Sequence, residues 1–192
     1  MASRPLVAVL DACVLYPFHL RNLLVQAAFD GLFDAHWSDD IHAEWIRNLA
    51  ANAPHVTVDR LEVTRDRMKD VLPQADVRGY QSLIPELDLP DPDDRHVLAA
   101  AITGKATLIV SWNIKDFPIE NLRSHGVACI TPDAFLVELY GQFPEALIDS
   151  VARARGNLRK SLPSSEDFVG AVERQGLAAF AAILRQNATR ID

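Results

Sequence analysis

The sequence lacks the features that mark several large classes of protein. Its 192 residues include two cysteines, Cys13 and Cys129, which form no Cys-x-x-Cys pair. This argues against a disulfide framework or a thiolate zinc site, and we expect both thiols to be reduced. No run of about 18 apolar residues is present, so no membrane span is expected. The first ten residues lead into an apolar strand without the long apolar segment of a signal peptide, which predicts a cytoplasmic protein.

Several glycine-dependent motifs are also missing. The chain contains no Gly-x-Gly-x-x-Gly and no Gly-x-x-x-x-Gly-Lys-(Ser/Thr), so dinucleotide and P-loop binding lack support. It contains no Gly-x-Ser-x-Gly, which disfavours an esterase. Hydrophobic residues make up 49% of the chain, enough for a sizeable core, and therefore predict a globular protein.

Basic residues are scarce in most of the chain. Residues 1–150 hold 12 Lys and Arg against 22 Asp and Glu, a balance of -10, whereas residues 151–192 hold 7 against 4, a balance of +3. The sum is the net charge of -7, which by itself argues against a nucleic-acid partner. The basic tail is therefore the part of the chain that could contact phosphates, although a solvated helical face would show the same excess.

The hydrophobic pattern predicts an α/β fold. Leu6 to Leu10 and Leu108 to Val110 are continuous apolar runs, typical of strands buried on both faces of a parallel sheet. Phe33 to Trp37 and Val127 to Ile130 are predicted as two further strands. Helical periodicity fills the segments between them, so we predict a three-layer α/β/α sandwich around a central parallel sheet.

The C-terminal part is predicted to be entirely helical. From Pro144 onward we predict no strand, but one helix over 145–159 and helical structure over 166–187 with a break near Gly176. We place the boundary near Gly141 to Pro144. The predicted organisation is an α/β domain over residues 1–142 and a helical extension over 143–192.

Four acidic residues stand where the predicted fold could bring them together. Asp11 directly follows the first strand, and Asp116 lies in the loop after the strand at 108–110. Asp94 opens the helix before that strand, and Glu44 lies within the helix after the second strand. Each alone also fits a structural role such as a helix cap, a first-turn acid or a turn residue. Because ligands gather outside the carboxyl ends of the strands in open α/β sheets, the combination predicts a site.

The segments around these acids resemble the PIN domains, and among them the VapC-type toxins and their relatives. The resemblance covers roughly residues 4–140, and its order and spacing are more specific than any one segment. It rests on Val9-Leu10-Asp11-Ala12-Cys13-Val14-Leu15, Trp37-Ser38-Asp39-Asp40-Ile41-His42-Ala43-Glu44-Trp45, Asp91-Pro92-Asp93-Asp94-Arg95-His96-Val97-Leu98-Ala99-Ala100-Ala101 and Leu108-Ile109-Val110-Ser111-Trp112-Asn113-Ile114-Lys115-Asp116-Phe117-Pro118.

The resemblance implies a metal-dependent endoribonuclease, the toxin of a toxin–antitoxin pair, with Asp11, Glu44, Asp94 and Asp116 as catalytic metal ligands. Asp91, Ser111 and Asn113 are expected to support them. Many family members carry an acid where this chain has Asn113, so Asp116 is the better candidate for the fourth carboxylate. Cys13 stands where Ser, Thr or Asn is common, so a hydroxyl contact is expected to be missing there.

The chemistry of the four acids agrees with this resemblance. Two carboxylates about 4 Å apart repel by roughly 4 kcal/mol at an effective dielectric near 20, so converging acids need a cation. Oxygen ligands favour Mg²⁺ or Mn²⁺ over zinc. Such a cation supports phosphodiester hydrolysis without a protein nucleophile. His36, His42 and His96 have no zinc-type spacing with cysteine, and we interpret them as surface or packing residues.

Other functions fit the same acids less well. A phosphatase with Asp11 as nucleophile would usually carry a second Asp at the position of Cys13. A phospho-receiver module would need an acidic pair after the first strand, where Asp11 stands alone. A PIN scaffold that has lost activity, and binds only RNA or a protein partner, stays open because of Asn113.

The resemblance also implies partners. These are an RNA substrate, an antitoxin whose tail enters the active-site groove, and a second copy of the chain in a homodimer. We further expect the basic tail to contact RNA phosphates through four residues, Arg153, Arg155, Arg159 and Lys160. The alternative is that the tail only completes the core or a dimer interface.

Overall fold

A computed structural model describes residues 6–53, 55–158, 161 and 163–192. At its centre four strands form one parallel sheet in the order β2-β1-β3-β4. The strands are β1 (Val7–Leu10), β2 (Asp34–His36), β3 (Leu108–Val110) and β4 (Ala128–Ile130).

Ten α-helices lie within the described residues. They are α1 (Ala12–Leu15), α2 (Phe18–Phe29), α3 (Asp39–Asn52), α4 (Val58–Val71), α5 (Arg95–Thr103), α6 (Ile119–Leu122), α7 (Pro132–Gln142), α8 (Pro144–Gly156), α9 (Ser165–Arg174) and α10 (Ala178–Gln186). None of these helices is both long and apolar enough to cross a membrane. The parallel sheet flanked by helices, followed by further helices at the C-terminal end, confirms the predicted α/β/α fold class.

The composition of β1 fits its place inside the sheet. In β1, which has a neighbour on each side, Ala8, Val9 and Leu10 are fully buried. A strand covered on both faces must be apolar throughout, and the continuous run at Leu6 to Leu10 has this property. All four strands run the same way, so their carboxyl ends share one edge of the sheet, and Asp11 follows β1 at this edge.

The chain divides into two compact units. The first contains the described residues up to Tyr16 and Phe33–Thr131, and the second contains Pro17–Leu32 and Pro132–Asp192. In the first unit α5 packs on β1 and β3, and α3 contacts α1, α4 and α5. In the second, α2 packs on α8, and α10 packs on α7 and α9. The domain boundary between residues 142 and 143 stays a prediction, while these units separate after Thr131.

Most predicted elements are confirmed, with one difference in the tail. The break near Gly176 separates α9 from α10, where Gly176 has a φ of 93°, a backbone conformation that favours glycine. The helix predicted to reach residue 159 ends at Gly156. Both cysteines are free, as predicted.

Candidate active site

Asp11 lies at the carboxyl end of the central strand and is almost fully buried, with 2% exposure. Its backbone N–H donates to the carbonyl of Val110 at 3.1 Å, which continues the pairing of β1 with β3. Its carboxylate caps α1 by accepting the Ala12 N–H at 2.6 Å. The helix-capping role considered for Asp11 is therefore real, and it fixes the carboxylate at the sheet edge.

The second carboxylate oxygen of Asp11 accepts hydrogen bonds from two side chains. The Ser111 hydroxyl donates to Oδ2 at 2.6 Å, and the Cys13 thiol donates to the same atom at 3.2 Å. Ser111 is fully buried, and its Oγ in turn accepts the Asn113 N–H at 3.0 Å. Hydrogen bonds through Ser111 thus connect the loop after β3 to the carboxylate of Asp11 after β1.

Burial and neighbouring charge act on the ionisation of these groups. Burial, with a smaller contribution from the negative charge of Glu44, raises the pKa of Asp11, although the bonds from Ser111 and Cys13 oppose this. Burial and the charge of Asp11 raise the pKa of the Cys13 thiol to about 12. Cys13 therefore serves as a hydrogen-bond donor and not as a thiolate at neutral pH.

Glu44 is held by the packing of α3. The helix begins after Ser38, whose side chain accepts the Ile41 N–H at 3.2 Å. The buried face of α3 carries His42 and Trp45, joined by a hydrogen bond from the indole Nε1 to the histidine Nδ1 at 3.0 Å. Glu44, one position before Trp45, keeps a side chain that is 28% exposed.

The pKa of Asp94 depends on the charges of the other predicted acids. Asp94 ends a short 3-10 turn, Pro92–Asp94, at the N-cap position of α5. Burial raises the pKa of Asp94 to about 7, assisted by four negative charges. In decreasing order of effect these belong to Asp11, Asp91, Asp116 and Glu44. These carboxylates are therefore near enough to Asp94 for their charges to oppose its ionisation.

The remaining predicted residues lie on two turns. Asp116 ends the 3-10 turn Ile114–Asp116, whose N-cap position is the exposed Asn113. Asp91 is exposed, and its side chain caps its own turn by accepting the Asp93 N–H at 2.9 Å. Asp91 thus has a structural role besides its charge.

The donor chemistry of the four acids fits a hard divalent cation. All four offer carboxylate oxygens, and a bound cation would offset the repulsion between their negative charges. Across the part of the chain that the structure describes, however, no group of three or more His, Cys, Asp or Glu side chains is arranged closely enough to hold a metal ion. The assignment of the four acids as ligands therefore stays a prediction.

One residue near these acids has a contact that the sequence did not predict. His96, interpreted as a surface or packing residue, has its Nε2 3.2 Å from Oε2 of Glu44. The contact joins α5 to α3 across 52 residues of chain, so no local pattern predicts it. The only sequence signal is a polar residue directly before the fully buried run Val97 to Ala101.

The tail residues proposed to bind RNA differ in side-chain exposure and in their bonding partners. Arg155 is largely buried, with a side chain that is 14% exposed, and it donates to the carbonyls of Pro163 and Ile191. The guanidinium of Arg155 is therefore already bonded within the chain, and its contact with RNA phosphates stays a prediction. Arg153 is 52% exposed and pairs with Asp30 at 3.0 Å. Arg159 and Lys160 lie outside the described residues.

Comparison with known proteins gives matches to both parts of the chain. Residues 7–115 match the PIN domain family, and residues 132–186 match the VapC50 C-terminal domain. A curated protein of Mycobacterium tuberculosis (strain ATCC 25618 / H37Rv), named "Putative ribonuclease VapC50", is 38% identical over 68 residues. That match covers 35% of this chain and 40% of the relative.

No solved structure matches the chain. The PIN-domain match, however, spans more than half of the 192 residues and includes the positions of Asp11, Glu44 and Asp94. The chain belongs to the PIN domain family.

Proposed function

We propose that this protein is an endoribonuclease that depends on Mg²⁺ or Mn²⁺ and hydrolyses RNA phosphodiester bonds in the cytoplasm. The observation that carries the proposal is the carboxylate of Asp11 at the carboxyl end of β1, held by hydrogen bonds from Ser111 and Cys13. Family membership and the ribonuclease name of the relative support it.

Asp11, Glu44, Asp94 and Asp116 are the residues that would hold the cation. A bound divalent cation supplies a site for a phosphate oxygen, a lowered pKa for an attacking water and neutralisation of charge on the leaving oxygen. The chain's own contribution is to keep the carboxylates fixed. Ser111 and Cys13 hold the carboxylate of Asp11 from one side, and the cap on α1 holds it from the other.

One position disfavours the phosphatase alternative, in which Asp11 would be the nucleophile. Cys13 occupies the place where such an enzyme usually has its second acid.

Cleavage of a single-stranded RNA by the purified protein tests the proposal. We expect cleavage with Mg²⁺ or Mn²⁺, its loss with EDTA, and a loss of most of the activity in Asp11→Asn, because this change removes a charged ligand and keeps the side-chain shape. The matched control is Asp93→Asn, the same chemical change on an exposed neighbour of Asp94. Undiminished cleavage by Asp11→Asn in metal-free buffer would refute the proposal.

The inactive-scaffold alternative stays open because of Asn113. This neutral residue stands where many family members carry an acid. A scaffold of this kind would bind RNA equally well with and without Mn²⁺, and would not cleave it. The same assay with a binding readout therefore separates the two functions.

We further propose that the protein is the toxin of a toxin–antitoxin pair. The similarity to the VapC50 protein and to its C-terminal domain supports this role. Expression of the wild-type chain should arrest bacterial growth, expression of Asp11→Asn should not, and a small protein encoded next to the gene should restore growth and co-purify with the toxin. Sedimentation of the free toxin will show whether it forms the expected homodimer.

A further inference from the structure

His96 connects two elements of the candidate site. It lies in the first turn of α5, two residues after Asp94, and its Nε2 lies 3.2 Å from Oε2 of Glu44 on α3. The side chain of His96 is 14% exposed and that of Glu44 is 28% exposed. The bond therefore lies mostly inside the protein, where a hydrogen bond to a carboxylate is stronger than at the surface.

The surroundings of the ring decide which nitrogen carries a proton. Nδ1 of His96 is buried and has no hydrogen-bond partner among the described residues. A proton on Nδ1 alone would bury an unpaired donor and turn the Nε2 lone pair towards a carboxylate oxygen, and both cost free energy. Nε2 therefore donates to Glu44, and it does so whether the ring is neutral or charged.

The stability of α5 does not explain why a histidine stands at position 96. The first turn of a helix is the positive end of its dipole, where a histidine gains nothing. Histidine is also a weak helix former compared with the alanines that follow it in α5. The hydrogen bond to Glu44 is the interaction that explains a histidine at this position.

We propose that His96 is a positioning residue for the metal ligand Glu44, an inference that rests on the proposed function. By holding Oε2, His96 fixes the rotamer of Glu44, and Oε1, which has no hydrogen-bond partner among the described residues, can then bind a cation. The bond also links the carboxylate of α3 to the helix that Asp94 begins. Such outer contacts orient ligands in metal sites, and losing one typically lowers metal affinity about 10- to 100-fold.

Titration of the purified protein with Mn²⁺ tests this role, with steady-state RNA cleavage as a second readout. His96→Ala should weaken Mn²⁺ binding at least about tenfold and lower kcat more than it changes KM for RNA. His96→Gln keeps an N–H donor near the position of Nε2 and should recover most of the affinity. His125→Ala, which truncates an exposed histidine of the same unit, is the control and should bind Mn²⁺ like the wild type.

A double-mutant cycle separates positioning from a structural role. If His96 acts through Glu44, His96→Ala should cause no further loss of Mn²⁺ affinity in a Glu44→Gln background. Equal losses in both backgrounds, a failure of His96→Gln to restore binding, or wild-type affinity in His96→Ala would each overturn the inference.

The outcomes also distinguish the inference from the proposed function. Wild-type protein that neither binds Mn²⁺ nor cleaves RNA would remove the proposed function, and the positioning role with it. Wild-type protein that does both, with no dependence on His96, would remove the inference alone.

Discussion

At the scale of single residues, the structure gives Ser111 a double bonding role. Its hydroxyl donates to Asp11 at 2.6 Å and accepts the Asn113 N–H at 3.0 Å, all in a fully buried position. Ser111→Ala would leave a buried carboxylate oxygen and a backbone N–H without this partner. We expect a loss of about 1–3 kcal/mol in the free energy of unfolding, and reduced RNA cleavage.

Urea unfolding and the cleavage assay measure the two effects of Ser111→Ala. Ser124→Ala, which removes the same hydroxyl from an exposed position of the same unit, is the control and should change neither. If Ser111→Ala is as stable and as active as Ser124→Ala, the bond to Asp11 contributes nothing.

In the second compact unit, Asp30 joins α2 to α8. Its Oδ2 accepts bonds from Ser150 at 2.6 Å, Gln26 at 3.0 Å and Arg153 at 3.1 Å. Although burial raises the pKa of Asp30, the bonds from Ser150, Gln26 and Arg153 outweigh it and hold the pKa below its ordinary value.

This lowered pKa predicts a pH-dependent contribution of Asp30 to stability. A carboxyl with a depressed folded-state pKa contributes fully above its unfolded pKa, and the contribution is lost as pH falls through the folded pKa. Asp30→Asn should therefore lower the free energy of unfolding by about 1–2 kcal/mol at pH 7 and by clearly less near pH 3. Glu138→Gln, an exposed acid of α7, is the charge-matched control. A deficit that is the same at both pH values would contradict the lowered pKa.

At the scale of elements, the end of α5 depends on the absence of a side chain at Gly104. A Cβ there would lie 2.5 Å from Nδ1 of His36, 2.9 Å from Cγ2 of Val77 and 3.0 Å from the Ala100 carbonyl oxygen. Gly104→Ala should therefore lower the free energy of unfolding by about 1–3 kcal/mol, since the neighbours must move.

Gly141 provides the matched comparison for Gly104. It lies inside α7, and apart from its own helix backbone and chain neighbours no atom of the described residues is within 4 Å of an added Cβ. Gly141→Ala should therefore gain up to about 1 kcal/mol from helix propensity. Urea unfolding of the two variants should give changes of opposite sign. A Gly104→Ala protein as stable as the wild type would show that the end of α5 adapts without cost.

The last turn of α8 carries two arginines for which we predict different effects. Arg155→Ala removes hydrogen bonds to the carbonyls of Pro163 and Ile191, so we expect a loss of about 1–3 kcal/mol in stability. Arg153→Ala removes a half-exposed ion pair, worth up to about 1 kcal/mol. If Arg153 contacts RNA, its loss should reduce the slope of log affinity against log salt by about 0.7.

Salt-dependent RNA binding and thermal unfolding of both arginine variants test this difference. An unchanged salt slope in Arg153→Ala would assign that residue to structure alone. Equal stability losses in the two variants would mean that the hydrogen bonds from Arg155 to the two carbonyls stabilise the protein no more than the ion pair of Arg153 does.

At the scale of the whole molecule, the features that could be predicted from the sequence are those that depend on a local pattern of residues. The strands β1 and β3 were found because burial on both faces requires continuous apolar runs. The position of Asp11 at the sheet edge was predictable because Asp11 directly follows β1, whereas Ser111 was expected to support the site only from the resemblance. The contact of His96 with Glu44 was missed, since it depends on how α5 packs against α3. The grouping of α2 with the C-terminal helices likewise depends on contacts distant in sequence.

The central claim, that four carboxylates hold a divalent cation, is tested most directly by a crystal structure of the protein with Mn²⁺. The anomalous signal of manganese locates the ion independently of any assumed ligand. We predict a peak with carboxylate oxygens of Asp11, Glu44, Asp94 or Asp116 at metal–oxygen distances of about 2.0–2.2 Å. The absence of a peak among these residues at saturating Mn²⁺, or a peak bound elsewhere on the chain alone, would contradict the claim.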